Sequence, residues 1–314
     1  MRFPIGEYYK ALRAFTFSAS VFPSLTGSLF GAMFVLGSKD NLHFSYLHCF
    51  LVLLGCIAIH SVSNLANDYF DFKSGLDSKE NFGMKNPLVR GALTESELKG
   101  EILFMFIVAV CVGAYFVYTC GMVIIYLMLF GALSAWFYSA PPFALKRRGL
   151  GDIQVVLSFG ILMTVGSFIT QAYNVFEVRN LESWLPFILL LSLPQSLLIN
   201  AILQANNHRD RESDAKHGAR TIATRLSEQN SIRFQYILVT SAYILITVIA
   251  LLTDYYFLLP LLSIPHAIKV LKNIHKKEQP GTQAFKLLVA DAANLQRSFG
   301  GLMIISLLLI LWCK

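Results

Sequence analysis

Asp68 and Asp71 stand three residues apart, and Asn67 and Asp71 four apart, in the run Asn64-Leu-Ala-Asn67-Asp68-Tyr-Phe-Asp71-Phe-Lys73-Ser-Gly75-Leu-Asp77. A second run, Gln204-Ala-Asn206-Asn207-His208-Arg209-Asp210-Arg-Glu212-Ser-Asp214, spaces Asn206, Asp210 and Asp214 by four. Residues three and four apart share one face of a helix, so each run stacks its polar groups on one side. Like charges so placed repel, and carboxylates gathered this way call for a cation. Hard divalent cations take oxygen ligands, and Mg2+ characteristically uses one or two carboxylates together with substrate phosphates. Two facing clusters, each holding Mg2+, would grip a diphosphate from both sides. One cluster alone reads more readily as solvated loop acids balanced by nearby Lys and Arg. Two of the same N-x-x-x-D form, Asn67 to Asp71 and Asn206 to Asp210, reverse that balance and hint at an internal duplication.

Cations supply the other half of such a site. Lys146-Arg147-Arg148 follows Tyr138-Ser-Ala-Pro141-Pro142-Phe-Ala-Leu; Arg209, Arg220 and Arg225 flank the second cluster, and Lys73 and Arg90 follow the first. A diphosphate leaving group needs neutralisation as its bond to carbon breaks, which fixed cations and Mg2+ provide.

The elements that must position these residues are membrane helices. The chain has 314 residues, 55% hydrophobic and 14% charged, with a mean hydropathy of +0.56. A soluble domain carries roughly 25% charged residues, so a soluble globule, a secreted disulfide scaffold and a disordered chain are excluded. Apolar windows of spanning length fall near residues 14–37, 44–66, 101–118, 121–139, 150–172, 184–204, 232–253, 255–271 and 297–313. They predict an all-α, polytopic bundle of nine transmembrane helices, a single integral-membrane domain over residues 1–314. Of the 26 Lys and Arg, nine spans put twenty-three on one side and only Lys39, Arg179 and Lys314 on the other. The positive-inside rule then places the N-terminus and both acidic clusters on the cytoplasmic face and the C-terminus opposite. No cleavable signal peptide is expected, and no soluble basic module exists to bind nucleic acid. Cys49, Cys56, Cys111, Cys120 and Cys313 lack metal or redox spacing and read as packing residues.

Together these motifs resemble the UbiA superfamily of intramembrane prenyltransferases: nine spans, N-D-x-x-D after the second and D-x-x-x-D after the sixth. The stretch Asn86-Pro-Leu-Val-Arg-Gly-Ala-Leu-Thr94 resembles the family's loop between spans two and three. Several details resemble the branch that prenylates 1,4-dihydroxy-2-naphthoate for menaquinone. They are Asp77 six residues after Asp71, Tyr138-Ser-Ala-Pro-Pro-Phe with Gly151-Asp152 beyond it, and the run from Asn206 to Arg225. The resemblance implies transfer of a chain from a polyprenyl diphosphate to an aromatic small molecule within the lipid bilayer. Asp68 and Asp71, supported by Asn67, would hold one Mg2+; Asp210 and Asp214, supported by Asn206 or Asn207, a second; Asp77 assists. Lys73, Lys146, Arg209 and Tyr138 are the candidates for holding the diphosphate, with Asn67 and Asn207. His60 and Asn64, one turn apart and leading toward Asn67, are candidates for the acceptor pocket; interhelical hydrogen bonding explains them equally well. Gln171, near the opposite face, reads as structural.

Two other readings compete. The same diphosphate chemistry could serve another quinone ring, a lipid acceptor or cyclisation of the prenyl chain. A transporter would place its acids near the bilayer midplane, often at interrupted helices, whereas these lie at span ends on one side.

Overall fold

A backbone inside hydrocarbon must satisfy its own hydrogen bonds, so apolar windows of this length become helices. The computed structural model describes residues 5–36, 43–78, 86–176, 184–275 and 283–313, with the side chains of 34, 174–176 and 283–286 outside that description. The expected cations Arg2, Lys39, Lys79, Lys85, Arg179, Lys276, Lys277, Lys286 and Lys314 therefore also lie outside it. The helices are α1 (Ile5–Ala11), α2 (Ser18–Leu36), α3 (Tyr46–Lys73), α4 (Glu95–Cys120), α5 (Val123–Phe137), α6 (Gly151–Val155), α7 (Met163–Phe176), α8 (Leu185–Arg209), α9 (Arg211–Lys216), α10 (Ile222–Arg225), α11 (Glu228–Leu252), α12 (Ile264–Asn273) and α13 (Gln283–Cys313).

Local sequence explains where several begin. Ser45 caps α3, its Oγ accepting from the His48 N–H at 3.1 Å. Thr94 and Glu97 form a reciprocal capping box at α4, the T-x-x-E arrangement that satisfies two otherwise orphaned amides. A π-helical stretch, Val156–Leu162, joins α6 to α7.

Six helices among the described residues are long and apolar enough to cross a membrane: Tyr46–Lys73, Glu95–Cys120, Gly151–Tyr173, Leu185–Arg209, Glu228–Leu252 and Leu287–Cys313; Val123–Phe137 is apolar but shorter. The window at 255–271 departs from expectation. It is not one α-helix but a 3₁₀ run, Tyr255–Ser263, followed by α12. Pro260 and Pro265 explain the break, since neither can donate to the helical ladder.

α2 packs along α7, α8 along α11 and α13, and α3 along α4. Phe168, Leu198, Ile246 and Phe299 are fully buried between these helices, while Leu103, Phe104, Ile107, Tyr126 and Leu133 face outward. Water would make such outward rows an aggregation surface; lipid tails solvate them. The α2–α7 contact depends on Gly27, where an added Cβ would meet the Thr164 carbonyl at 2.0 Å. Overpacking of this kind costs about 1–3 kcal/mol. Gly27→Ala is expected to lower the thermal unfolding midpoint in detergent by several degrees, whereas Gly100→Ala, with open space around it, should leave it unchanged or raise it.

Candidate active site

α3 runs past the apolar window to Lys73, so Asn67, Asp68 and Asp71 occupy its last two turns. Asp68 and Asp71 are buried, and each carries a cation. Arg13 donates to Asp68 from the turn between α1 and α2, where its backbone is left-handed at φ 55° and ψ 48°. That conformation is uncommon for any residue other than glycine and belongs to a residue held by its surroundings. Lys146 Nζ donates to Asp71 at 2.5 Å and to Asn67 Oδ1 at 2.7 Å, and the Ser139 hydroxyl adds a 3.0 Å bond to Asn67. Arg147 reaches both Asp71, at 3.5 Å, and Ser74.

The loop after α5 delivers these cations. The Lys146 N–H donates to the Tyr138 carbonyl at 3.0 Å, folding the segment back over the end of α3. Its exit is pinned to the strand of chain following the second acidic cluster. The Arg220 N–H donates to the Arg147 carbonyl at 2.9 Å, and the Arg225 guanidinium to the Arg148 carbonyl at 2.7 Å. Gly149 makes that approach possible: its φ is 76°, and a Cβ there would lie 2.8 Å from the Arg220 carbonyl.

α8 carries the second cluster to Arg209, and Asp210 sits where the chain turns into α9. Arg209 holds both Asp210 oxygens, at 2.7 and 2.6 Å, and Asn206 Oδ1 at 2.8 Å. The Asp214 N–H donates to the Asp210 carbonyl at 2.8 Å, keeping the four-residue spacing. Burial pushes the Asp214 carboxyl up to about 6; Lys146 opposes the shift, while Asp210 and Asp71 add to it. Asn67 and Lys146 line one cavity with Asn206 and Asn207, so the two clusters face one another across it. Asp77 stands beside the first. Asn86 fixes it, donating to Asp77 Oδ2 at 2.9 Å and to the Asp68 carbonyl at 2.7 Å. Burial raises the Asp77 carboxyl, and the Asp71 charge adds to the rise.

One cavity of about 400 Å³ begins at these groups. Arg13, Asn67, Tyr138, Lys146, Asn206 and Asn207 line its polar end, and it continues between α3, α4, α5 and α7 along apolar walls. Asn64 and His60 line it one and two turns further in. Thr16 gives its hydroxyl proton to the Arg13 carbonyl at 2.8 Å, so it accepts from His60 Nε2 at 3.3 Å and from Asn64 Nδ2 at 3.3 Å. His60 Nδ1 then accepts from Ser20 at 2.6 Å. Both ring nitrogens are engaged, so His60 offers the cavity its ring, set against Phe159 at 4.6 Å, rather than a free nitrogen.

The structure therefore brings together Asn67, Asp68, Asp71, Asp77, Tyr138, Lys146, Asn206, Asn207, Arg209, Asp210 and Asp214. It does not bring Lys73, which turns outward to Glu95 at 2.7 Å. Arg13 carries no local signal in the sequence, since no spacing links it to Asp68, 55 residues away. Asn86 was legible only as part of a loop.

The donor set suits a hard divalent cation. It consists of carboxylate and amide oxygens from two facing helix ends, with cations close by. No group of three or more His, Cys, Asp or Glu among the described residues forms a metal cage by itself. Mg2+ sites of one or two carboxylates completed by substrate phosphate have this character.

Comparison with known proteins was made on this basis. The UbiA prenyltransferase family profile matches residues 20–295. The UbiA prenyltransferase domain-containing protein 1 of Dictyostelium discoideum is 29% identical over 306 residues, covering 95% of this chain and 86% of that one. The 1,4-dihydroxy-2-naphthoate octaprenyltransferase of Bacillus subtilis is 26% identical over 305 residues, covering 96% and 92%. Among solved structures, a UbiA homolog from Aeropyrum pernix K1 superposes with a TM-score of 0.68 at 14% identity, over 93% of this chain and 98% of that one. A UbiA homolog from Archaeoglobus fulgidus bound to GPP and Mg2+ does so at 0.57 and 18%, over 95% and 99%. At these identities the superpositions show the fold.

Removing one partner of a buried ion pair leaves an uncompensated charge and costs about 3–5 kcal/mol. Arg13→Ala should lower the unfolding midpoint in detergent markedly, and adding Asp68→Asn in the same chain should restore most of the loss. A double variant no more stable than Arg13→Ala alone would break the assigned pairing.

Proposed function

The chain belongs to the UbiA prenyltransferase family and is an integral-membrane prenyltransferase; on that premise we propose that it transfers a polyprenyl chain from its diphosphate to 1,4-dihydroxy-2-naphthoate in menaquinone biosynthesis. One observation carries the diphosphate half of this reading: Lys146, bonded to Asn67 and Asp71 of the first cluster, lines the polar end of a long apolar cavity together with Asn206 and Asn207 of the second. The acceptor half rests on curated relatives named as naphthoate octaprenyltransferases at 26–29% identity over most of the chain and on the Asp71-to-Asp77 spacing.

Asp68 and Asp71 with Asn67 would hold one Mg2+, and Asp210 and Asp214 with Asn206 or Asn207 a second, Asp77 assisting. Bound Mg2+ supplies Lewis-acid polarisation of the C1–O bond and neutralises the leaving diphosphate. The protein's own groups do the remainder. Arg13, Lys146 and Arg209 keep the carboxylates neutralised before substrate binds, and the same cations are within reach of diphosphate oxygens afterwards. Tyr138 lines the passage where the prenyl C1 would sit. As the C1–O bond breaks, the electron pair goes to the diphosphate and an allylic cation is left, which the apolar walls shield from water. The Phe159 ring lines that shielded volume. The electron-rich ring carbon that bears the carboxylate attacks C1; the carboxylate then leaves that carbon as carbon dioxide, and the electron pair of the broken C–C bond restores aromaticity. His60 and Asn64 form the acceptor wall in this reading. The nine-span topology, with the site and N-terminus cytoplasmic and the C-terminus opposite, belongs to the same proposal, as does a single domain over residues 1–314.

The test uses membranes, labelled prenyl diphosphate, Mg2+ and a panel of acceptors. Prenylated naphthoquinol with dihydroxynaphthoate is the expected product, abolished by chelation of Mg2+. Asp71→Asn and Asp214→Asn should each lower kcat/KM about a hundredfold or more, the scale of losing one transition-state electrostatic contact, with membrane insertion unchanged. Diphosphate release without any acceptor would point instead to cyclisation, and wild-type activity in either variant would remove the two-cluster assignment.

A further inference from the structure

Two substrates must meet at one carbon, and the cavity offers two differently shaped arms. One is a side opening near the reacting end. Phe106 and Val110 of α4 line the cavity and yet are 39% and 42% exposed, so the wall between α4 and α5 is open there. The opening ends where Met128 lies against Gly113, so close that a Cβ on Gly113 would be 2.1 Å from it. Beyond that contact the cavity is a blind shaft. Val52, Phe116 and Ile124, all nearly fully buried, line its closed end.

Hydrogen bonds lock that end shut. The Ser45 N–H donates to Gln171 Oε1 at 3.2 Å, and Gln171 Nε2 donates to the Ser45 carbonyl at 2.9 Å. His48 Nδ1 donates to the Thr170 carbonyl at 2.7 Å, and its ring stands edge-on to Phe116 at 5.3 Å. Phe116 is thus backed by a side chain that cannot swing away without breaking the clasp between α3 and α7.

We infer that this blind shaft measures the prenyl tail, with Phe116 as its floor, and admits about four isoprene units. The inference rests on the prenyl-transfer reading above and adds the donor's length to it. From Val52 to Asn67, α3 climbs fifteen residues, roughly 22 Å at 1.5 Å per residue. An isoprene unit adds four chain bonds of about 1.5 Å, which zigzag forward by roughly 5 Å. About four units therefore separate a C1 held at Asn67 from a terminal methyl resting on Phe116. A two-ring aromatic acceptor is far shorter than the shaft and needs only the side opening. The long apolar substrate fits the long apolar arm.

The experiment is a donor series. Purified enzyme in detergent, with Mg2+ and a fixed acceptor, is given all-trans prenyl diphosphates of two to eight isoprene units. Wild-type kcat/KM should peak near four units and fall at least tenfold by eight. Phe116→Ala should move the peak up by one unit or more, and Val52→Phe, which fills the shaft from the facing helix, should move it down. Equal kcat/KM for four-unit and eight-unit donors, or a peak unmoved in both variants, would overturn the inference, because the tail would then leave through the side opening. Turnover with no donor of any length would sink the transfer reading and this one with it.

Discussion

The Lys146 ammonium, shared between Asn67 and Asp71 and within the field of Asp214, is the interaction on which the site depends. Carboxylates at the end of an apolar bundle are costly when buried alone; Asp68 and Asp71 are offset by cations drawn from other parts of the chain, and Asp210 by its neighbour Arg209. Arg13 comes from before the first span, Lys146 and Arg147 from the loop after α5, and Arg209 from the end of α8. The same contacts that make burial tolerable gather four distant segments at one rim.

The gathering also explains the shape of the loops. The segment from Tyr138 to Gly149 doubles back so that three consecutive basic residues can serve different ends. Lys146 and Arg147 turn inward to Asp71, while Arg148 donates to the Pro142 carbonyl and its own carbonyl receives Arg225. Asn86 does comparable work with no charge, tying Asp77 to the backbone of Asp68. In each case a polar group that reads as an interfacial loop residue holds a reactive carboxylate in place.

The cavity adds the second constraint. Charge is confined to one rim, and the walls beyond it are aliphatic and aromatic, so a substrate with an anionic head and an apolar tail finds each half matched. The π-helical stretch at Val156–Leu162 brings Phe159 onto His60 and shapes this wall where the chain leaves regular α-helix. The glycines at 27 and 160 let α2 approach α7, and the π-helical stretch approach α8, closely enough that an added Cβ at either would collide.

Much of this was legible in the residues. Asp68, Asp71, Asp210 and Asp214 announced themselves by spacing, because a helical face is set locally by a 3.6-residue period. The apolar windows mark the helices for the same reason, and Gln171, which reads as structural, clasps Ser45. The window at 255–271 misled, since hydropathy averages over Pro260 and Pro265 and so passes across a break in the hydrogen-bond ladder. Lys73 misled as well, because adjacency to Asp71 in sequence does not decide which way a helix-end side chain turns. The sequence by itself determined what depends on neighbours along the chain: membrane class, the two acidic faces, and the caps. Only the tertiary structure decided which cation meets which carboxylate, that the two clusters face each other, and where the cavity closes. The Arg13–Asp68 and Lys146–Asp71 pairs and the Ser45–Gln171 clasp join residues 55, 75 and 126 positions apart, and no local periodicity records them.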